Sequence, residues 1–287
     1  HGVPYDPERL KRVADEWMAS AGVRVLTGAL LAGVRCEASR IDAVFVETVA
    51  GRRAILPRVV IDASGDAEVI AHAGGPVSIG AEGALQSPSA MFRMTPVDRT
   101  EFASMSRAEL ADALSAWSDR ETPLPRTTIA VFPYLARDEV HVNATRVRQL
   151  DGAHYDTTDP WARAAAEVEG RRQAFDYERA LRDVAPGFDA ARITAIGAAL
   201  GVREGRRIHG DTELTETDVM QCRASADRIA CCAWPIEDHA RDRAGVRNPL
   251  ALLDCRDRDA DREPDEEKLE GVVADRAEVV DAEAGQV

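Results

Sequence analysis

The sequence predicts a mixed α/β (α+β) protein in which an α/β unit is followed by a unit built on antiparallel sheet. Three features predict this class: a strand, turn and helix over residues 59–75, a series of short strands before it, and a hairpin flanked by amphipathic helices after it. At 287 residues, 45% of them hydrophobic, the chain can form one large domain or two modest ones. We expect domains at 1–85 and 86–240, and an irregular acidic tail at 241–287.

The charge balance limits the classes of partner. The chain has 36 basic and 50 acidic residues, a net charge of −14, which argues against nucleic acid or an anionic membrane as its main partner. No apolar run approaches the roughly 20 residues that span a bilayer, and no signal-peptide pattern opens the sequence. We therefore expect a cytoplasmic protein acting on a small molecule, and the sequence predicts no particular oligomeric state.

The cysteines do not form a recognisable framework. Their number is odd and no Cys-x-x-Cys pair occurs, which fits neither a disulfide scaffold nor a zinc or cluster site. We expect scattered reduced thiols and no metal site. The five cysteines are Cys36, Cys222, Cys231, Cys232 and Cys255.

The N-terminal region predicts a helix and then a series of strands. Asp6 and Pro7 provide an N-cap and a first-turn proline for a helix that ends near Gly22, with Trp17 and Met18 expected in the core. Strands are predicted after it, and no Gly-x-Gly-x-x-Gly stands between a strand and a helix. The predicted strands cover residues 23–26, 29–36, 41–49 and 54–62.

A tight turn at residues 63–66 connects the last of these strands, expected to be buried, to a short helix. Small residues at Ala63 and Gly65 let a ligand approach the backbone, and the first N–H groups of the helix offer donors to an oxygen-rich ligand. The carboxylate of Asp66 would repel a pyrophosphate, so it should cap the helix or accept hydrogen bonds from sugar-like hydroxyls. The alternative is an ordinary strand, turn and helix with Ser64 or Asp66 as N-cap.

The middle of the chain predicts two helices and a hairpin. Residues 86–94 indicate a strand, a capping box at Ser106 to Glu109 opens one helix, and Asp159-Pro160 opens a longer one. Residues 127–135 and 140–147 alternate as a hairpin.

One face of that hairpin is polar. His141, Asn143 and Thr145 share this face at a period of two, where they could line a substrate cavity or simply face water.

The arginines at residues 203–207 are a further candidate site. In an extended strand Arg203 and Gly205 would lie on one side and Glu204 and Arg206 on the other, which places guanidinium groups beside a cavity. A buried guanidinium needs an anionic partner, which could be a ligand or Glu204 itself.

Three motifs resemble one family. Val-Ile-Asp-Ala-Ser-Gly-Asp-Ala-Glu-Val at residues 60–69, Gly-Val-Arg-Glu-Gly-Arg-Arg-Ile-His-Gly at 201–210 and Leu-Thr-Glu-Thr-Asp-Val at 214–219 are similar to motifs of bacterial FAD-dependent oxidoreductases grouped with the flavin subunit of heterodisulfide reductase. Ser64 replaces the usual Thr and Gly205 the usual Ser. The resemblance implies part of a glutathione-reductase-type FAD domain together with an antiparallel-sheet substrate domain.

The same resemblance implies a cofactor and its binding residues. FAD would be bound at Ala63, Ser64, Gly65 and Asp66. In the family the glycine fingerprint lies near the N-terminus, ahead of the segments found here, so we interpret the chain as a fragment with weak FAD retention. The grouping also implies a 4Fe-4S cluster, but the cysteine spacing does not fit one.

The resemblance further implies hydride transfer between a substrate and flavin N5. Arg203 would stabilise negative charge and His239 would act as acid or base, while Asn143 and Arg207 would contact the substrate. The alternative is a non-catalytic remnant or interaction module that has lost FAD binding.

Overall fold

A computed structural model describes residues 5–80, 85–134, 137–223, 236–238, 245–247 and 278–281. Within these residues the chain forms helices and antiparallel sheets, which confirms the predicted α/β (α+β) class. The described helices are α1 (Pro7–Ser20), α2 (Glu68–His72), α3 (Arg99–Phe102), α4 (Arg107–Arg120), α5 (Pro160–Val184) and α6 (Glu216–Met220). The described strands are β1 (Ala29–Glu37), β2 (Arg40–Thr48), β3 (Gly51–Leu56), β4 (Val77–Ile79), β5 (Phe92–Thr95), β6 (Ala130–Pro133), β7 (Val140–Asn143), β8 (Arg192–Ile196), β9 (Arg206–Ile208), β10 (Ile236–Asp238), β11 (Gly245–Arg247) and β12 (Glu278–Asp281).

The chain divides into two compact units that are each discontinuous in sequence. The first unit comprises His1–Thr27 and Ser87–Gly205, and the second comprises Gly28–Gln86 and Arg206–Val287. The sequence predicts continuous domains, and their limits stay a prediction.

The second unit is built on an antiparallel sheet with strand order β1-β2-β3-β12. The three consecutive strands confirm the meander predicted for residues 29–62, although β3 ends earlier, at Leu56. The fourth strand, β12, pairs with β3, with Val279 opposite Ile55. The sequence predicts that residues 241–287 are irregular, but β11 and β12 lie within them. An exposed sheet edge offers hydrogen bonds that a short alternating segment can complete.

The segment after β3 is not the buried strand that the sequence predicts. Val59 and Ile61 are 80% and 85% exposed, and no described strand pairs with them. Their β-branched side chains favour a strand, but a strand forms only where a neighbour completes its hydrogen bonds. Among the described residues of this unit's sheet, the buried ones are instead Ala43, Phe45, Val46 and Ala54.

The first unit contains the larger core, between a sheet of strand order β6-β7-β5-β8 and the helices α4 and α5. The pairing of β6 with β7 confirms the predicted hairpin, with shorter strands, whereas β8 was not predicted. Val140 and Val142 are fully buried on the core side of β7, and Leu114 and Tyr177 bring the two helices onto them. This packing fixes the opposite face of β7, which carries His141 and Asn143.

The capping signals predicted at Asp6, Ser106 and Asp159 are confirmed, and Thr215 provides a further cap. The side chains of Asp6, Ser106, Asp159 and Thr215 each accept a backbone N–H of the helix that follows. Ser106 and Thr215 do so within complete capping boxes. No described helix has both the length and the apolar character that crossing a membrane requires.

The prediction that α1 contributes core residues is wrong. Trp17 and Met18 are 67% and 43% exposed, and no residue of α1 is buried. Residues 23–26 do not form the predicted strand, since no described strand lies beside them to share hydrogen bonds. An amphipathic pattern shows which face of a helix is apolar but not whether a surface exists to cover that face.

The close approach of Gly187 to Asp98 generates a prediction about stability. Gly187 adopts φ +79°, its carbonyl accepts the Asp98 amide, and an added Cβ would meet the Asp98 carbonyl oxygen. Gly152 has a similar φ of +85° but has open space around the same position. We expect Gly187→Ala to lower the free energy of unfolding by about 2–4 kcal/mol and Gly152→Ala by about 1 kcal/mol. Urea denaturation of both variants measures this, and equal losses would contradict the close approach.

Candidate functional site

The turn at residues 63–66 opens towards solvent on one side. Ala63, Ser64 and Gly65 are exposed, and Gly65 adopts φ +82°, a conformation that glycine reaches without strain. A Cβ added at Gly65 would meet no atom of the described residues within 4 Å. A ligand can therefore reach the backbone of this turn, as the small residues predict.

The carboxylate of Asp62 caps the helix that follows the turn. Its Oδ2 accepts the backbone N–H groups of Val69 and Ile70 at 3.0 and 3.2 Å, and its Oδ1 accepts the amide and hydroxyl of Ser64 at 3.1 and 2.7 Å. Burial acts to raise the pKa of Asp62, but these hydrogen bonds outweigh the effect of burial, and the pKa is lowered overall. Sequence reasoning missed Asp62, because it stands well ahead of Glu68, where α2 begins, and not at the N-cap position that a capping signal occupies.

Ser64 takes up further donors of the same turn. Its Oγ accepts the backbone N–H of Glu68 at 3.1 Å and that of Asp66 at 3.3 Å. The first three amides of α2 are thus bonded to Ser64 and Asp62. The expectation that these amides are free for an oxygen-rich ligand is therefore wrong, because side chains of the turn itself occupy them. The N-cap of α2 is Ala67, which makes no side-chain capping bond, so the alternative with Ser64 or Asp66 as the N-cap is wrong. Ser64 bonds the first amide of the helix from outside that position.

Asp66 remains as the acceptor of this turn. Its Oδ1 is buried and has no hydrogen-bond partner among the described residues. Its backbone carbonyl accepts Nε of Arg206 at 2.8 Å, where Arg206 begins β9 opposite Ile79 of β4. A buried acceptor without a donor is costly, so a ligand that carries hydroxyl groups fits this position and a phosphate does not.

Arg203 lies in the first unit, whereas Arg206 and Arg207 belong to the second. Residues 202–205 are irregular, so the strict alternation predicted for a strand there is wrong; pairing starts only at Arg206. The Nη2 of Arg203 donates to Oγ of Ser89 at 3.0 Å. Arg207 is exposed and stands opposite Ser78 in the ladder, and its contact with a substrate stays a prediction.

Asn143 lies at the end of β7, on the face opposite its buried neighbour Val142. Its partner is Arg126, which sequence reasoning missed: Nη2 donates to the Asn143 carbonyl at 2.7 Å and to its Oδ1 at 2.8 Å, and Nε donates to the Ala144 carbonyl at 2.7 Å. Thr145 does not share this face, because β7 ends before it and its hydroxyl turns inward to Ala90.

Burial and neighbouring charges both act on the Arg126 guanidinium. Burial lowers the pKa of its guanidinium, and the positive charges of Arg203, Arg146 and Arg107 lower it further, while Tyr177 acts in the opposite direction. No local motif marks this arginine in the sequence, since only folding of the hairpin brings it to Asn143.

Residues 170–173 of α5 have structural roles. Gly170 packs against Leu200 and Ala90, and the Gln173 amide bonds to the backbone N–H and carbonyl of Arg146. Arg172 pairs with Glu169 at 2.7 Å on a half-exposed face.

His239 lies outside the described residues, and so do Cys231, Cys232 and Cys255. Cys222 is disulfide-bonded, so the expectation of reduced thiols throughout is wrong. Cys36 is a free thiol. Within the described part of the chain no group of three or more His, Cys, Asp or Glu side chains could hold a metal ion.

The family model for FAD dependent oxidoreductases matches residues 1–258, and the chain belongs to this family. Its helices and antiparallel sheets are consistent with an α/β FAD-binding oxidoreductase fold. Comparison with curated proteins and with solved structures gave no match.

The capping network predicts different effects for two neighbouring carboxylates. Asp62→Ala removes the acceptor of four hydrogen bonds, so we expect it to lower the free energy of unfolding by about 1–2 kcal/mol. Asp66→Asn removes a charge whose buried oxygen has no partner among the described residues, and we expect a change of no more than about 0.5 kcal/mol. Chemical denaturation of the two variants compares them. A larger loss for Asp66→Asn would contradict this arrangement.

His141 generates a prediction about pH. Burial lowers the pKa of His141 from 6.5, and Arg93 lowers it further against the opposing effect of Glu139. Below pH 6.5 the unfolded chain protonates this histidine, whereas the folded chain resists its protonation. The contribution of neutral His141 to the unfolding free energy is therefore complete above pH 6.5 and is lost as the pH falls through the folded pKa. We expect His141→Asn to reduce the fall in unfolding free energy measured from about pH 7.5 to 5. An unchanged fall would show that other groups cause it.

Proposed function

We propose that the chain is an FAD-dependent oxidoreductase that transfers a hydride between a carbon atom of a small-molecule substrate and flavin N5. Family membership supports the flavin class. One observation carries the proposal for this chain: the exposed small-residue turn presents a buried Asp66 oxygen that lacks a donor among the described residues.

The turn at residues 63–66 would hold the hydroxyl-bearing part of FAD. Asp66 would accept hydrogen bonds from sugar-like hydroxyls, and Arg206 fixes the backbone carbonyl of the same residue. Ala63, Ser64 and Gly65 would admit the ligand close to the backbone. The amides of α2 would not bind the pyrophosphate, because Asp62 and Ser64 already use them.

Bound FAD supplies an acceptor or donor of a hydride at N5. Arg203, held by the Ser89 hydroxyl, would stabilise negative charge that develops during transfer. His239 would give or take the proton that accompanies the hydride, and Asn143 and Arg207 would contact the substrate. No 4Fe-4S cluster is part of the proposal, because the cysteines lack the spacing of a cluster site.

The second candidate is a non-catalytic remnant or interaction module. One observation favours this candidate: the first three amides of α2 already bond to Ser64 and Asp62, so they are not available as donors to the phosphates of FAD. Binding of FAD separates the two candidates directly.

Titration of the full chain with FAD, followed by quenching of flavin fluorescence, tests the proposal. We expect saturable binding that Asp66→Asn weakens by about tenfold or more, because one carboxylate oxygen becomes an N–H₂ donor and the oxygen that remains is an uncharged, weaker acceptor. Asp211→Asn, an exposed carboxylate of the same unit, is the matched control and should leave the affinity unchanged. If the wild-type chain does not bind FAD, the oxidoreductase proposal fails and the non-catalytic candidate stands.

A further inference from the structure

Arg126 and Asn143 each have a side-chain donor group that bonds to no described residue. Of the guanidinium nitrogens of Arg126, Nε and Nη2 donate to Asn143 and Ala144, whereas Nη1 makes no hydrogen bond with any described residue. The Asn143 side chain uses its Oδ1 to accept from Arg126, which leaves its Nδ2 amide group without an acceptor in the described part of the chain. Two donors therefore belong to side chains that are joined at 2.8 Å.

Both donors are held in place by backbone contacts. Arg126 is tied to two successive carbonyls at the end of β7, and its own backbone amide and carbonyl bond to the Tyr177 hydroxyl in the core. Asn143 is the last residue of β7 and pairs with Ala130 of β6. A preorganised pair of this kind loses little conformational entropy when a ligand binds.

Arg126 carries a half-buried positive charge that no described carboxylate pairs with. Its side-chain hydrogen bonds go to the carbonyls of Asn143 and Ala144 and to Oδ1 of Asn143, all of them uncharged acceptors. Within α5, Glu169 pairs with Arg172, and Asp176 pairs with Arg172 and Arg179. A partly buried guanidinium without a carboxylate partner is costly, and a bound anion relieves that cost.

We infer that Arg126 and Asn143 bind a carboxylate group of the substrate. A guanidinium edge beside an amide N–H₂ presents planar donors, which match the two oxygens of a carboxylate. That the ligand is a substrate rests on the proposed function, but binding of a carboxylate by these residues does not require flavin.

Calorimetric titration of the full chain with sodium succinate, without flavin, tests the inference. Succinamide has the same skeleton without charge and serves as the ligand control, and inorganic phosphate tests the other common anion. We expect succinate to bind and succinamide and phosphate not to bind.

Two variants locate the site. Asn143→Asp places a carboxylate against Arg126, so it should weaken succinate binding by about tenfold or more without lowering the melting temperature. Arg126→Lys keeps the charge but loses the planar fork, and it should also weaken binding. Arg171→Lys is the matched control, since Arg171 is exposed on α5 and pairs only with Glu167 among the contacts described for it.

Succinate binding that is lost in both site variants and kept in the control supports the inference. Binding of phosphate but not succinate, equal binding in Asn143→Asp, or no binding at all would overturn it. A chain that binds FAD but not succinate would refute only this site, whereas a chain that binds succinate but not FAD would refute only the flavin proposal.

Discussion

The carboxylate of Asp62 determines the chemistry of the turn that follows it. By accepting two amides of α2 and both donors of Ser64, it fixes the turn and removes the donors that a helix N-terminus would otherwise offer to a phosphate. What remains is an acceptor, the buried Oδ1 of Asp66. The turn is therefore suited to a ligand that donates hydrogen bonds, such as a polyhydroxyl chain, and poorly suited to one that only accepts them.

The first unit has the opposite hydrogen-bonding character. At the end of β7 the side-chain groups of Arg126 and Asn143 that bond to no described residue are donors, and Arg126 itself is a cation. An oxidoreductase of the flavin class needs both kinds of site, because its cofactor and its substrate are recognised through different polar groups. Each unit thus offers one kind of recognition through its own side chains.

The sequence predicts what depends on neighbours in the chain. Caps such as that of Ser106 are confirmed because the capping side chain and the amide it accepts are three residues apart. The prediction that Val59 is buried in a strand was wrong, because a strand needs a partner whose presence the local pattern cannot show. Arg126 was missed for the same reason: it follows Pro125 without any motif, and only the folded hairpin brings it 2.8 Å from Asn143.

The central claim is that the turn at residues 63–66 recognises hydroxyl groups through Asp66 and does not bind phosphate. Titration of the chain with riboflavin, which has the ribityl hydroxyls but no phosphate, followed by competition with inorganic pyrophosphate, tests it most directly. We predict that riboflavin fluorescence is quenched to saturation and that excess pyrophosphate does not reverse the quenching. Displacement of riboflavin by pyrophosphate, or no binding of riboflavin at all, would contradict the claim.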